Sequence, residues 1–271
     1  MSLKEVFAIV DIETITDEGL FSKEVHVDCF PPPIAHIPIC ITVLTARWAK
    51  NDRGNFIKPG PMTTLTGDER TMLRNVSKLI DNAQPRLVSY NGRRFDFPVI
   101  AQRSMIHGLS MPTYFNAGDK WNCYTQRYSK NWHLDLMDSM TNYGACPPIP
   151  LGLAASSVGL PGKMDTDGSD VAGLYSKGKL TEIANYCELD VLNTFGLMLR
   201  WMMTTAELSQ EGFQLSSKAL FDFIGSQGVE KYHFAKFGSQ IDWVHFESVG
   251  NEIDKAGSKT QSTSLLSETR H

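Results

Sequence analysis

The sequence predicts an α/β fold in which helices flank a β-sheet, because short apolar segments alternate along the chain with longer segments of helical periodicity. Residues 6–10 (VFAIV) form a continuous apolar run, which is typical of a buried strand. Residues 181–203 carry apolar side chains along one helical stripe and predict the longest helix. A chain of 271 residues is long enough for one substantial domain with an extension.

The remaining predicted elements continue this alternation. Further strands are predicted at residues 39–46, near 55–58 and at 86–90. Helices are predicted at residues 66–83, 97–107, 134–143 and 151–158, with weaker helical periodicity from 206 to about 246. Loops are predicted at residues 30–38, which contain four prolines, and at 159–169, and an ordered insertion or hairpin is predicted at 111–132.

The bulk composition is typical of a protein without a membrane anchor or a disulfide framework. No apolar run approaches the roughly 18–20 residues that span a bilayer, and the N-terminal segment does not resemble a signal peptide. The five cysteines contain no C-x-x-C pair, so a thiolate zinc site is not expected. We therefore expect a cytoplasmic protein with a main domain at 1–205, a helical extension at 206–247 and a disordered tail at 248–271.

The distribution of charge is more informative than its sum. A net charge of −4 argues weakly against binding of nucleic acid. Residues 86–133, however, contain seven Lys or Arg against two acidic residues. One basic stretch in an acidic protein favours an enzyme whose carboxylates hold cations over a purely electrostatic coat for DNA.

Three separate segments carry acidic residues at spacings that can bring carboxylates together. Asp11 and Glu13 are two apart at the end of a predicted strand, so both can point to one face. Asp96 lies where a helix is predicted to begin, and Tyr186 and Asp190 are four apart on the long helix. Each segment alone has an ordinary explanation, namely a strand end, a helix N-cap or a solvated aspartate. Together they can supply the oxygen ligands that Mg²⁺ or Mn²⁺ prefers.

In this order, the three segments resemble the Exo I, II and III motifs of the DEDD exonucleases: Asp11-x-Glu13, Asn91-x-x-x-Phe95-Asp96 and Tyr186-x-x-x-Asp190. Tyr186 is typical of the tyrosine variant, and the segment YNGRRFDFPVI is similar to the proofreading domain of family B DNA polymerases. The resemblance covers about residues 5–202. It implies a ribonuclease H-like fold with a central mixed sheet flanked by helices. It also implies two Mg²⁺ or Mn²⁺ ions and 3′→5′ release of nucleoside monophosphates.

The resemblance also assigns expected roles to residues. The implied metal ligands and catalytic carboxylates are Asp11, Glu13, Asp96 and Asp190, with Tyr186 positioning the nucleophile. The candidate contacts to substrate are Asn91, Arg93, Arg94 and Phe95. Because no segment of this chain resembles a polymerase core, we expect a free-standing enzyme or one recruited by replication or repair proteins.

The expected substrate is the 3′ end of single-stranded DNA, and three alternatives stay open at this point. An exoribonuclease would differ by contacts to the 2′-hydroxyl, which the sequence does not reveal. A non-catalytic nucleic-acid-binding module of the same fold is the second alternative. A sugar hydrolase with paired carboxylates is the third, although it leaves Tyr-x-x-x-Asp unexplained.

Residues 114–132 contain six aromatic side chains interleaved with Lys and Arg. Such a segment can stack bases of any sequence. It can equally form a small satellite core beneath a long loop.

Overall fold

The computed structural model describes residues 4–24, 30–164 and 171–248. Within them, five strands form one mixed sheet in the order β3-β2-β1-β4-β5. The strands are β1 (Val6–Thr16), β2 (His36–Asn51), β3 (Gly54–Thr66), β4 (Arg86–Ser89) and β5 (His133–Asp135). Strands β1, β2 and β3 pair in antiparallel fashion, whereas β4 runs parallel to β1 and β5 parallel to β4. The predicted α/β class with a mixed sheet is therefore confirmed.

Helices cover both faces of the sheet. They are α1 (Glu18–Glu24), α2 (Glu69–Ala83), α3 (Asp96–Ile106), α4 (Pro112–Asn116), α5 (Leu136–Met140), α6 (Leu151–Ser156), α7 (Val171–Ser176), α8 (Leu180–Thr204), α9 (Gln210–Gly228), α10 (Tyr232–Gln240) and α11 (Trp243–Ser248). No helix in the described ranges is long and apolar enough to cross a bilayer.

The alternation of side chains along β1 divides the core in two. Phe7 and Ile9 join an apolar cluster with residues of α8 and α9. Ala8, Val10 and Ile12 point to the opposite face and join a second cluster with α2 and α3. This is the period of two that a strand imposes on its side chains. The same alternation directs the odd-numbered side chains of β1 to the face of the sheet that α8 covers.

Several predicted element boundaries were wrong. Strand β1 continues to Thr16 rather than ending near residue 10, and β2 begins at His36 inside the predicted proline loop. Strand β3 spans Gly54–Thr66 although it contains prolines, which an edge strand tolerates. The predicted helix at 134–143 is instead a three-residue strand followed by the five-residue α5. A strand of three residues is too short to show alternation, and only its pairing with β4 defines it.

The helices after residue 206 pack on the same face of the sheet as α8. Phe213 of α9, Phe234 of α10 and Phe246 of α11 belong to the apolar cluster that contains Phe7 of β1. The backbone N–H of Ile57 in β3 donates to Ser216 Oγ of α9 at 2.8 Å. The division of the chain at residue 205 stays a prediction, and the predicted tail lies outside the described residues after Ser248.

Candidate active site

Carboxylates from two elements converge beside the centre of the sheet. Asp11 and Glu13 follow Phe7 and Ile9 on the face of β1 that α8 covers. Asp190 of α8 meets them there, and carboxylate oxygens of the three residues lie within 4.8 Å of one another.

The fourth carboxylate reaches this point because β4 is short. Strand β1 pairs with β4 only from Phe7 to Ile9, so Asp11 and Glu13 lie beyond the carboxyl end of β4. The chain turns there and begins α3 at Asp96. The Asp96 carboxylate accepts a hydrogen bond from the backbone of Ile12, which ties the start of α3 to β1.

A tight turn between β4 and α3 holds Asp96 in place. Asn91 adopts a left-handed backbone conformation with φ of 65°. A Cβ at Gly92 would lie 2.4 Å from Ser89 Oγ, so this position requires glycine. Asp135 of β5 accepts the backbone N–H groups of Asn91 at 3.0 Å and Arg93 at 2.9 Å. The sequence predicted no catalytic role for Asp135 and left open an ion pair with His133 near the site or a surface position. The unpredicted strand β5 instead brings Asp135 to this turn.

The ordinary explanation of Asp96 as a helix N-cap does not apply. The N-cap position of α3 is Phe95, which makes no capping hydrogen bond, and Asp96 is the first helical residue. Asp96 is 5% exposed. A buried carboxylate in that position needs a partner of opposite charge or a proton.

The electrostatics of the cluster favour a partner of opposite charge. Burial raises the pKa of Asp11 well above its usual range, and the neighbouring carboxylates Asp96, Asp190 and Glu13 raise it further. Burial and the same kind of repulsion raise the pKa of Glu13. Burial raises the pKa of Asp96 to about 7, with a contribution from Asp135, and that of Asp190 to about 6. Four carboxylates that resist ionisation together fit divalent cations, which relieve both burial and repulsion.

Tyr186 lies one helical turn before Asp190 and interacts with it directly. A hydrogen bond from the Tyr186 hydroxyl lowers the pKa of Asp190 against the larger effect of burial. Burial, followed by the charges of Asp190 and Glu13, raises the pKa of Tyr186 above its ordinary value. The phenol is therefore protonated at neutral pH and acts as a hydrogen-bond donor. Its ring is 9% exposed.

Two further side chains contribute to the cluster and were missed from the sequence. The buried Cys187 thiol donates to Asp11 Oδ2 at 3.3 Å and to Asp11 O at 3.4 Å. Cys187 lies on the apolar stripe of the predicted helix, and no signal in the sequence distinguishes a packing role from a contact to Asp11. The charge of Lys163 lowers the pKa of Glu13 and of Asp190. Lys163 lies in the predicted loop at residues 159–169, whose sequence contains no motif that indicates a site.

The side chains of the residues predicted to contact substrate differ in direction and exposure. The guanidinium of Arg93 points inward and donates to Tyr124 O at 3.1 Å and His133 O at 2.7 Å. Phe95 packs edge-on against His36 with ring centroids 4.9 Å apart. Arg94 is exposed, and within the described residues its side chain makes no hydrogen bond or ion pair.

Asn91 lies at the edge of the site with its Oδ1 atom buried and without a hydrogen-bond partner among the described residues. A buried polar atom of this kind requires an explanation, because leaving it unpaired costs free energy. Contacts of Asn91, Arg93, Arg94 and Phe95 to substrate stay predictions.

The aromatic segment divides between buried and exposed side chains. Tyr114, Tyr124 and Trp132 are buried in the same apolar cluster as Ala8 and Val10 of β1, so they belong to the main core and not to a separate satellite core. Phe115, Trp121 and Tyr128 are exposed. The segment is thus partly core and partly aromatic surface.

A mixed sheet flanked by helices, with carboxylates that converge beside its centre, defines an α/β domain with a candidate metal-binding site. Residues 29–241 match the family described as predicted 3′-5′ exonucleases related to the exonuclease domain of PolB. The chain belongs to this family, and the predicted assignment to a 3′-5′ exonuclease domain is confirmed. The comparison with curated proteins returned no match.

Solved structures that resemble this chain include a polymerase and an exonuclease. The family B DNA polymerase of Pyrobaculum calidifontis matches with a TM-score of 0.51 and 15% identity over 73% of this chain and 24% of that one. E. coli exonuclease I in complex with a dT13 oligonucleotide matches with a TM-score of 0.38 and 14% identity, over 86% of this chain and 45% of that one. The chain thus spans about a quarter of the polymerase and less than half of exonuclease I.

Proposed function

We propose that this chain is a metal-dependent 3′→5′ exonuclease that releases nucleoside monophosphates from single-stranded DNA. The observation that carries the proposal is the convergence of Asp11, Glu13 and Asp190, with oxygens within 4.8 Å, beside the buried Asp96. This donor set consists only of carboxylates, which suits hard cations such as Mg²⁺ or Mn²⁺. We propose that it holds two of them.

In this proposal the four carboxylates would hold the metal, which would supply Lewis-acid activation of water and stabilisation of the leaving oxygen. Tyr186 orients the attacking water through its hydroxyl. Its raised pKa argues against a role as general base at neutral pH. The water oxygen adds to phosphorus and the water gives up a proton to solvent, while the bond from phosphorus to the 3′-oxygen of the preceding nucleotide breaks. That oxygen takes up a proton and becomes the new 3′-hydroxyl.

The preference for a single DNA strand rests on aromatic side chains at the surface. Exposed aromatic residues at positions 115, 121 and 128 can stack on unpaired bases, which a duplex keeps inside its own stack. RNA is the alternative substrate, because the carboxylates themselves do not contact the sugar. Cytoplasmic location and recruitment by replication or repair proteins stay predictions.

Digestion of labelled oligonucleotides tests the proposal. DNA and RNA strands carrying a label at the 5′ or the 3′ end are incubated with Mg²⁺ or Mn²⁺, and with EDTA. We expect 5′-labelled DNA to shorten one nucleotide at a time, 3′-labelled DNA to lose its label at once, and EDTA to abolish both. Asp190→Asn should be inactive, whereas Asp52→Asn, at an exposed turn residue, should be fully active. Degradation in EDTA, or an equally active Asp190→Asn, would contradict a metal-dependent site.

A further inference from the structure

A groove runs beside the turn that leads into α3. It encloses about 860 Å³ between α3, α4, α5 and the chain that follows α5. Residues that line it include Asn91, Arg94, Phe115, Arg127 and Cys146. Cavities of roughly 300–1,000 Å³ bury most of a ligand of drug size, so this one has room for a nucleotide.

The groove begins at the turn that carries Asp96. Asn91 and Arg94 belong to this turn, and both line the groove. The backbone N–H groups of Arg94 and Phe95 donate to Asn91 O at 3.1 Å, and α3 starts one residue later. A ligand in the groove therefore lies next to the segment that presents the metal-binding carboxylate.

The side chains of the groove suit phosphate and base together. Arg94 is exposed and has no ion pair among the described residues, so its charge is available to a phosphate. Arg127 is held at the wall by an ion pair with Asp138 at 2.8 Å and a hydrogen bond to Tyr143 O at 3.1 Å. This positive charge is oriented rather than free to move, although Asp138 neutralises part of it.

Phe115 provides an aromatic face at the same place. Its side chain is 54% exposed, and it packs edge-to-face on the buried Tyr114 with ring centroids 5.1 Å apart. A ring that packs on a neighbouring ring and is still more than half exposed is suited to stacking on a base. Base pairs in a duplex have no free face, so this contact requires unpaired nucleotides.

We infer that the groove is a binding subsite for unpaired nucleotides of the substrate strand, next to the nucleotide that is cleaved. The inference rests on the proposed function and adds that the strand is gripped through phosphate by Arg94 and through base stacking by Phe115. Strands long enough to reach the groove bind more tightly than substrates with a single nucleotide.

Steady-state kinetics on long and short substrates test the inference. The variant Phe115→Ala should raise KM for a dT oligonucleotide about 5- to 150-fold, the range that loss of one base stack gives. It should leave kcat and KM unchanged for the p-nitrophenyl ester of thymidine 5′-monophosphate, which occupies only the cleavage site. Phe221→Ala is the matched control, because Phe221 is also 54% exposed and packs edge-to-face on an aromatic ring, that of Trp243 on α11. Equal KM values for Phe115→Ala and Phe221→Ala, or equal losses on both substrates, would overturn the inference.

Cys146 offers a second measurement that needs no catalysis. It is an exposed thiol in the groove, whereas Cys40 and Cys187 are buried. In EDTA, an excess of single-stranded dT oligonucleotide should slow alkylation of Cys146 by a maleimide, as followed by peptide mass spectrometry. Arg94→Gln should weaken this protection and lower its salt dependence by about one ion.

The two measurements separate the failure of the groove from the failure of the proposed function. Protection of Cys146 in a protein that hydrolyses neither substrate would refute the nuclease and retain the groove. Hydrolysis without protection of Cys146 would refute the groove and retain the nuclease. Equal protection by blunt duplex DNA would overturn the requirement for unpaired nucleotides.

Discussion

Replacing Asp96 by asparagine should stabilise the metal-free protein while abolishing its activity. Asp96 is 5% exposed, and burial raises its pKa from 3.8 to about 7. A raised pKa means that the folded protein binds this proton more tightly than the unfolded chain does. The contribution of Asp96 to the stability of the metal-free protein is therefore highest below the unfolded pKa and decreases as the pH rises toward 7. The asparagine side chain of the variant cannot ionise, so it avoids this loss.

The shift gives the size of the effect. At pH 8 the difference between pKa values of 3.8 and about 7 corresponds to about 4 kcal/mol, at about 1.36 kcal/mol for each unit. At pH 5 the Asp96 carboxyl is still protonated in the folded protein, so only the interval from the unfolded pKa of 3.8 to pH 5 contributes. The expected destabilisation by Asp96 then falls to about 2 kcal/mol. These values are upper limits, because the asparagine amide replaces only part of the hydrogen bonding to Ile12.

Thermal and urea unfolding in EDTA at pH 8 and pH 5 measure this difference. A change of about 1 kcal/mol shifts Tm by roughly 2–4 °C in a domain of about this size. We expect Asp96→Asn to melt several degrees above the wild type at pH 8 and to lose about half of that advantage at pH 5. Mg²⁺ or Mn²⁺ should raise the Tm of the wild type and raise that of the variant much less. Asp52→Asn, which changes an exposed carboxylate, should show none of these effects.

An Asp96→Asn variant that is no more stable than the wild type at pH 8 without metal would refute this reasoning. A stability advantage of equal size at both pH values would also contradict it, because the gain would then not come from ionisation. Either result would remove the electrostatic argument that the cluster requires cations.

Two other changes test how the cluster is assembled. Tyr186→Phe keeps the ring and removes the hydroxyl that interacts with Asp190. We therefore expect kcat to fall about 10²–10⁴-fold with little change in KM. Full kcat at saturating Mg²⁺ would show that Tyr186 is only a packing residue. Cys187→Ala removes the donor to Asp11 Oδ2, so the Mg²⁺ concentration for half-maximal activity should rise by up to about tenfold, and Cys187→Ser should restore most of the loss. Equal metal dependence for the wild type and Cys187→Ala would show that the thiol does not orient Asp11.

Local periodicity was sufficient to predict the parts of the fold that one element defines by itself. The pattern of β1 placed Asp11 and Glu13 on one face, and four-residue spacing placed Tyr186 beside Asp190, as the structure has them. Both statements depend only on the geometry of a strand or a helix. The extent of β1 was not predictable in the same way, because Thr14 and Thr16 are polar and the strand conformation of this end comes from pairing with β2.

The features that the sequence did not reveal all depend on contacts between distant segments. Strand β5 exists through its pairing with β4, in which Ser89 lies opposite Asp135, and it brings Asp135 to the turn before α3. The direction of Arg93 is set by the carbonyl oxygens of Tyr124 and His133. A count of positive charges in the basic stretch could not distinguish this inward-facing guanidinium from the exposed one of Arg94.

The same distant contacts explain how Asp96 is brought to a site that opposes its charge. Asp135 accepts two backbone N–H groups of the turn, and Arg93 donates from that turn back to β5 through His133 O. The turn is thereby tied to β5 by three hydrogen bonds before α3 begins. These contacts hold the Asp96 carboxylate near Asp11 even though its charge is unfavourable there. A backbone fixed in this way keeps the carboxylates close together without metal, so little reorganisation is needed when a cation binds.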